Sequence, residues 1–181
     1  TFLYKTYLMF IYLNNRALLK ISGNDAESFL QSQLSNDILK LDTSSIQLSA
    51  YCQHQGKILS LFWVMRQEEG FYLSFPKDVL DLIKSRLQMF VLMSDVNIEN
   101  ISDSYCQIGV IDEIAPNAFR INKKLSVLIE SKNYHSDSIN YENFHWTKAC
   151  IDSFLPEVVL STSEKFVPQM LNLDIDELGV N

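Results

Sequence analysis

The sequence contains few of the residues that would place it in several common protein classes. Of its 181 residues, three are cysteine, five are glycine and four are proline. Cys52, Cys106 and Cys150 are odd in number, far apart and without a C-x-x-C pair, which argues against structural disulfides and indicates a reducing compartment. The three histidines have no zinc-site spacing relative to these cysteines, so we expect no metal site.

Positive charge is also scarce. The chain has 15 Lys and Arg against 22 Asp and Glu, a formal net charge of -7. Proteins that bind nucleic acid through its phosphates need an excess of basic residues, so no direct binding to nucleic acid is expected. The apolar run at residues 1–13 is too short to span a bilayer, is interrupted by Lys5 and lacks a signal-peptide cleavage site. It predicts a buried strand, no membrane association and a cytoplasmic protein.

The remaining sequence alternates apolar β-prone runs with isolated helical stretches. The runs Met9–Leu13 and Arg16–Ser22 flank Asn14-Asn15 and predict a hairpin. Further strands are predicted at residues 46–52, 58–65, 71–75, 96–101, 105–111, 119–121 and 125–129. Helices are predicted after Asn24 or Asp25, after Pro76 and over residues 141–154, whereas residues 132–141 are polar and predicted to be weakly structured. This order indicates an α+β fold with largely antiparallel sheets and packed helices.

Four blocks of sequence combine residues in a less common way. Residues 16–37 read as strand, glycine turn and capped helix, which many proteins would use for stability alone. Residues 51–58 form a turn with the sequence Y-C-Q-H-Q-G-K-I. Residues 146–156 read W-T-K-A-C-I-D-S-F-L-P, and residues 166–173 read F-V-P-Q-M-L-N-L.

Together these blocks resemble the YgfZ-type folate-binding proteins, which are relatives of the glycine-cleavage T-protein (aminomethyltransferase). The resemblance runs from Arg16 to Asn181 and implies a T-protein-like folate-binding body over residues 1–181, built of two interleaved subdomains. The K-G-C-Y-x-G-Q-E motif and the C-terminal β-barrel of the family are expected to be absent from this chain. Tetrahydrofolate, or a substituted form of it, is the implied cofactor.

The resemblance also implies particular folate-binding residues. Trp146 corresponds to a folate contact and could stack on the flat pterin, or it could simply anchor the last helix in the core. Asp152 corresponds to the acid that accepts two hydrogen bonds from the pterin, although it is shorter than the usual glutamate, and Phe154 occupies the position of a family glycine.

The other implied site residues lie in loops or at a strand end. Arg16 could meet the anionic glutamate tail of folate or cap a strand edge, and both alternatives carry equal weight. Gln55 lies in the loop that forms the rim of the folate cavity in the family. The main-chain amides around Gln169 and Asn172 could line that cavity or hold an irregular loop together.

One departure from the family bears on catalysis. The T-protein loop that follows the Gly56 position carries an aspartate that assists methylene transfer, but this chain has I-L-S-L at residues 58–61. No catalytic residue is therefore assigned, and His54 in the same loop is more typical of a surface or core residue than of a catalyst. The absent acid argues against a classical aminomethyltransferase.

The resemblance implies an accessory role in iron–sulfur cluster assembly or repair. In the family this role supports radical-SAM enzymes, including one that modifies tRNA, so the expected partners are folate and iron–sulfur client enzymes. The alternatives are an aminomethyltransferase-like enzyme and a non-catalytic interaction domain with a degenerate pocket, which Phe154 would favour. In a eukaryote the expected location would be the mitochondrial matrix.

Overall fold

The computed structural model of the protein describes residues 9–112, 114–134 and 138–173. Two units are present, and each is made of two separate stretches of sequence. The smaller unit comprises Thr1–Asn14 and Asp103–Leu155, and the larger unit comprises Asn15–Ser102 and Pro156–Asn181.

Regular elements alternate along the described residues. The strands are β1 (Met9–Tyr12), β2 (Arg16–Ser22), β3 (Gln47–Cys52), β4 (Ile58–Gln67), β5 (Gly70–Pro76), β6 (Asn97–Asn100), β7 (Tyr105–Ile111), β8 (Phe119–Arg120), β9 (Leu125–Ser131) and β10 (Ile139–Asn140). The α-helices are α1 (Ala26–Gln33), α2 (Leu80–Met89) and α3 (Phe144–Asp152). Short 3-10 helices span Ile38–Lys40, Lys77–Val79 and Pro168–Leu171.

The larger unit is built on an antiparallel sheet with strand order β3-β4-β5-β2-β6. Its core forms where the apolar faces of α1 and α2 meet side chains of β2, β4 and β5. Phe29 and Leu30 supply the face of α1, and Ile83 and Leu87 supply that of α2. The i, i+4 spacing of the α2 pair places both side chains on one side of that helix, as amphipathic packing requires.

The smaller unit has a second sheet with strand order β10-β1-β7-β9-β8. Its strands pair antiparallel except for β1 and β10, which are parallel. Helix α3 packs on β7 through Trp146. The predicted fold class, α+β with largely antiparallel sheets, is confirmed.

The predicted hairpin of Met9–Leu13 and Arg16–Ser22 is wrong. Strand β1 pairs with β7 and β10, whereas β2 pairs with β5 and β6 in the other sheet. The two runs are adjacent in sequence, but the chain passes from one unit to the other between Asn14 and Asn15. A turn that tolerates positive φ is compatible with either outcome, because such a turn says nothing about which strands pair.

Two further local predictions need correction. Asp25 occupies the N-cap position of α1, but its side chain accepts a hydrogen bond from the Asp95 amide (2.8 Å) instead of capping the helix. The polar stretch 132–141 contains the short strand β10, which its polarity concealed. Residues 1–8 of the predicted N-terminal strand lie outside the described residues. Among the described residues, no helix is both long and apolar enough to cross a membrane.

Candidate functional site

Arg16 is the first residue of β2, and its guanidinium makes hydrogen bonds to several groups of the larger unit. Its side chain is 4% exposed. The guanidinium donates from Nε to Ser74 Oγ (2.8 Å) and from Nη2 to the Ser74 carbonyl (2.9 Å). A third hydrogen bond runs from Nη1 to Glu157 Oε1 (2.7 Å), and the guanidinium carbon lies 3.5 Å from the centre of the Trp63 ring. Arg16 therefore links two strands of the sheet to the segment that follows Pro156.

A cavity of about 430 Å³ lies beside this arginine. The residues that line it are Asn15, Pro76, Lys77, Asp78, Glu157 and Val159, all in the larger unit. Glu157 thus contacts Arg16 and also borders the cavity. Asp78, another lining residue, accepts a hydrogen bond at Oδ2 from the Leu160 amide (3.0 Å).

The segment 156–173 connects several of the candidate residues within the larger unit. After Glu157 it passes Asp78, and then Ser163 Oγ donates to the Leu59 carbonyl (2.9 Å). The Glu164 amide donates to the Ile58 carbonyl and the Ile58 amide donates to the Phe166 carbonyl, both at 2.8 Å. These bonds attach the segment to the first residues of β4.

This attachment brings two predicted loops to the same strand end. The turn that carries Gln55 precedes Ile58 by a few residues, and the Pro168–Leu171 helix follows Phe166 closely. The Ile58 amide is hydrogen-bonded to the Phe166 carbonyl. The Gln55 turn therefore ends, and the loop with the last 3-10 helix begins, at neighbouring points of the backbone. The bond joins the backbone after the Gln55 turn to the segment that leads into Gln169 and Asn172, and a shared site of the three residues stays a prediction.

The Gln55 turn is built by its own polar groups. The Gly56 amide donates to the Gln53 carbonyl (2.9 Å) and the Gln53 amide donates to the Lys57 carbonyl (2.9 Å). Gly56 has φ +82, a conformation that glycine adopts without steric cost. Gln55 is exposed, with its side-chain carbonyl near the Gln53 amide group (3.4 Å). Immediately after the turn, residues 58–61 are all buried.

Gln169 and Asn172 lie in and directly after the last 3-10 helix. Both side chains are exposed. The Asn172 amide donates to the Gln169 carbonyl (3.2 Å), and Asn172 itself adopts the left-handed conformation with φ +53. Asparagine tolerates that conformation better than most residues do, so its type also fits a structural role. Leu173 is fully buried and fixes the end of this loop.

Trp146 lies in α3 of the smaller unit and is 6% exposed. Its six-membered ring rests on β7 at Gly109, where an added Cβ atom would come within 2.4–2.9 Å of three ring atoms. The absence of a side chain at Gly109 is what admits the indole. This contact gives Trp146 the core-anchoring role that was one of its two interpretations, and stacking on a ligand stays a prediction.

Asp152 ends α3 and is 60% exposed. Its carboxylate pairs with Lys148, one helical turn earlier. An exposed i, i+4 pair of this kind adds only a few tenths of a kcal/mol. The structure therefore holds Asp152 on a solvated helix end, and its contact with a ligand stays a prediction.

Phe154 follows α3 in a conformation that favours glycine, the residue that the resemblance implies here. The Leu155 amide donates to the Cys150 carbonyl (3.0 Å) and the Phe154 amide donates to the Ile151 carbonyl (3.0 Å). This is the Schellman motif, in which the residue after the C-cap takes a left-handed conformation and is usually glycine. Phe154 has φ +54 and is 79% exposed. Its backbone is therefore in a conformation unfavourable for a residue with a Cβ, and burial of the ring does not offset that cost.

Replacing Phe154 by glycine should therefore stabilise the protein. We expect the free energy of unfolding to rise by about 1 kcal/mol, because glycine removes the Cβ clash of the left-handed conformation. Urea denaturation would measure the change as a higher midpoint at constant slope. The Phe154→Ala variant is the control, since alanine keeps the Cβ and should gain much less. Equal stability of the two variants would contradict the strain.

Two of the three thiols, those of Cys52 and Cys106, are poorly suited to nucleophilic chemistry. Burial raises the pKa of the Cys52 thiol, which precedes the Gln55 turn. Burial likewise raises the pKa of Cys106 in β7. A thiol attacks as the thiolate, so both residues are held in the less reactive form at neutral pH. No group of three or more His, Cys, Asp or Glu residues in the described part of the chain is placed to hold a metal ion.

The candidate residues fall into two sets. Arg16, Gln55, Gln169 and Asn172 belong to the larger unit, and Trp146 and Asp152 belong to the smaller one. Glu157 and Asp78, the two carboxylates of the cavity, were not predicted from the sequence. A partial signal existed for Glu157, because it directly follows Pro156 at the end of the W-T-K-A-C-I-D-S-F-L-P block. Asp78 had none, since an acid after Pro76 reads as an ordinary helix start.

Comparisons with known proteins agree on one family. The profile of the GCVT N-terminal domain matches residues 13–151. An uncharacterized protein of Haemophilus influenzae is 31% identical over 178 residues, which are 95% of this chain and 62% of that protein. The tRNA-modifying protein YgfZ of Vibrio vulnificus is 29% identical over 92 residues, 51% of this chain and 28% of that protein. The chain thus spans less than two thirds of the length of either relative.

A solved structure supports the same fold. The glycine cleavage system aminomethyltransferase T of Bartonella henselae superimposes with a TM-score of 0.52 over 57% of this chain and 28% of its own. Sequence identity in that superposition is 15%, so the likeness concerns the fold alone.

Proposed function

Because the chain belongs to the GCVT N-terminal domain family, with the YgfZ-like resemblance confirmed, we propose that it binds a reduced folate. The ligand is tetrahydrofolate or a substituted form. In this proposal Trp146, Asp152, Arg16, Gln55, Gln169 and Asn172 are the residues that contact it. The observation that carries the proposal is the family match across 139 of the 181 residues, from 13 to 151.

The proposed role is that of an accessory factor and not of a methylene-transferring enzyme. Residues 58–61, where the T-protein family places its catalytic aspartate, are Ile, Leu, Ser and Leu, and all four are buried in β4. A group that assists proton transfer at a folate nitrogen must be titratable and must reach the ligand. Neither condition is met at these positions, which argues against aminomethyltransferase chemistry.

The finer proposal is a function in iron–sulfur cluster assembly or repair, on behalf of radical-SAM enzymes that modify tRNA. The name of the Vibrio relative, tRNA-modifying protein YgfZ, is compatible with this role. The net charge of -7 favours an indirect link to RNA through a client enzyme, because the chain lacks the basic excess that phosphate binding needs. A cytoplasmic location belongs to the same proposal.

Titration with 5-formyltetrahydrofolate tests the proposal, with binding measured by calorimetry and by tryptophan fluorescence. We expect saturable binding that quenches indole emission. The Trp146→Phe variant should bind about 3- to 10-fold more weakly, because phenylalanine offers a smaller surface for stacking.

The chain supplies a matched control for this variant in Trp63→Phe, since Trp63 is the other of its two indoles. Each variant removes one fluorescent indole, but calorimetry measures affinity without using either indole. A lower affinity by calorimetry in Trp146→Phe alone would therefore indicate that Trp146 contacts the ligand. Absence of saturable binding to the unaltered chain would contradict the proposed function. It would leave the third interpretation, an interaction domain with a degenerate pocket.

A further inference from the structure

Large apolar side chains are exposed along one side of α3. Phe144 is 71% exposed and Ile151 is 68% exposed, and their i, i+7 spacing places both on the same side of the helix. Phe154, just beyond the last turn, is 79% exposed. Trp146 anchors the helix at Gly109 on the opposite side, so the exposed residues are not needed to hold α3 in its unit. Scattered exposed apolar residues are common, but a group of them on one face is typical of an interaction site.

The charged residues on this side make the surface complementary to itself. Lys148 lies one turn after Phe144 and forms an ion pair with Asp152, one turn further on. The two side chains are 61% and 60% exposed, so each charge is accessible to a further partner. We call Phe144, Lys148, Ile151, Asp152 and Phe154 the α3 face. Because it has one charge of each sign, a copy of the face rotated by 180° presents the opposite sign to each charge.

A two-fold axis halfway between Lys148 and Ile151 gives the matching register. An α-helix rises 1.5 Å per residue, so this axis places Lys148 of one copy within about 1.5 Å, measured along the helix, of the level of Asp152 in the other copy. Ile151 then lies opposite the aliphatic stem of Lys148, which can cover apolar surface while its ammonium group meets the carboxylate. Phe144 of each copy lies at the level of Phe154 in the other. Both the charges and the apolar side chains therefore find suitable partners in one arrangement.

We propose that the protein forms a symmetric dimer in which the α3 faces of two copies pack antiparallel. Lys148 of each copy pairs with Asp152 of the other, and the four charges alternate in sign around the axis. Such a network stabilises an interface more than an isolated surface pair does. The occupant is a second copy because the face supplies both members of every pair that it needs.

The dimensions of α3 set the strength of this dimer. The helix has nine residues and is therefore about 14 Å long. A contact of that length buries less than the roughly 1,200–2,000 Å² of a stable interface, so we expect a dissociation constant on the order of 10–100 μM. The inference goes beyond the proposed function. Asp152 is also a proposed folate contact, and a ligand there would compete with the second copy, so the dimer is tested without folate.

Sedimentation equilibrium of the full chain from about 5 to 500 μM tests the inference, and we expect a reversible equilibrium of monomer and dimer. Ile151→Ala should raise the dissociation constant about 10-fold, because two-fold symmetry removes the apolar contact twice. Leu92→Ala is the matched control. Leu92 is 82% exposed but lies outside α3, so its loss should change the dissociation constant less than about 2-fold. A chain that is monomeric at about 500 μM, or equal effects of the two variants, would overturn the inference.

Reversing one charge at a time tests the register. Lys148→Glu leaves two negative charges on the α3 face, and Asp152→Lys leaves two positive charges. Each variant alone should dimerise at least about 10-fold more weakly, because like charges then meet across the axis. An equimolar mixture of the two should recover a dissociation constant within about 3-fold of that of the unaltered chain, since every charge again faces its opposite.

The mixture also separates contacts between copies from effects within one helix. Both variants lose the ion pair between Lys148 and Asp152 of the same helix, and mixing does not restore it. Recovery in the mixture can therefore arise only between copies. Circular dichroism of each variant checks that α3 and the rest of the fold are retained. If two folded variants stayed monomeric when mixed, the antiparallel pairing of the α3 faces would be wrong.

Discussion

Replacing Gly109 by alanine should lower the free energy of unfolding by about 3 kcal/mol, at the upper end of typical overpacking effects. The added Cβ would lie 2.4 Å from Trp146 Cε3 and 2.5 Å from Cζ3, far inside van der Waals contact. The clash cannot be relieved cheaply, because the indole is 6% exposed and Gly109 is in the middle of β7, paired with Ile11 on one side and Val127 on the other. Urea denaturation followed by far-UV circular dichroism, a signal that depends on neither indole, would measure the loss.

The double variant with Trp146→Leu identifies the cause. Leucine leaves room beside β7, so adding Gly109→Ala in that background should cost less than about 1 kcal/mol. Backbone preference alone would give the same cost in both backgrounds, since the Gly109 strand conformation is available to alanine. A cost that persists with leucine, or a Gly109→Ala variant as stable as the unaltered chain, would contradict the indole contact.

The sequence predicted the fold class because that class depends on local patterns. β7 runs from Tyr105 to Ile111 as the apolar run predicted, and the turn at Gly56 separates β3 from β4. Each of these features is set by apolar periodicity, by turn residues or by both, and those signals lie within a few residues of the element. Pairing is different, as the false hairpin at Asn14-Asn15 shows. Which strands pair depends on partners dozens of residues away, and no local pattern specifies them.

From the sequence, candidate site residues could be predicted only within the blocks that resemble family motifs. The resemblance implied a glycine where this chain has Phe154, and the φ of +54 at Phe154 is a conformation that favours glycine. Arg16 carried two alternatives of equal weight, a contact with the glutamate tail of folate or a cap on a strand edge. In the structure its side chain contacts Ser74, Glu157 and Trp63, and the choice between the two alternatives stays a prediction. The contact of Glu157 with Arg16 joins residues 141 positions apart, which a single sequence does not reveal. The cavity therefore had to be found in the structure.

Arg16→Met should destabilise the protein by about 3 kcal/mol, the cost of deleting several charge-assisted hydrogen bonds after partial repacking. The Ser74 Oγ and carbonyl lose their donors in a buried environment, which costs more than losing a solvated partner. Glu157 contributes less, because at 40% exposure it can regain water. Methionine restores some contact with Trp63 but no hydrogen bond. Trp63 fluorescence during urea denaturation would follow the loss.

Two variants test whether burial of the guanidinium is what matters. Arg66→Met is the matched control: Arg66 donates to two backbone carbonyls, pairs with Glu27 and, like Arg16, lies over an aromatic ring, here Phe71, but its side chain is 25% exposed. Its loss should cost about half as much, because water can replace part of the hydrogen bonding. Arg16→Lys keeps the charge near Glu157 but cannot reproduce the guanidinium fork, so it should recover little of the lost stability. If Arg16→Lys were as stable as the unaltered chain, charge alone would suffice, and the bonds to Ser74 would not hold Glu157 at the cavity.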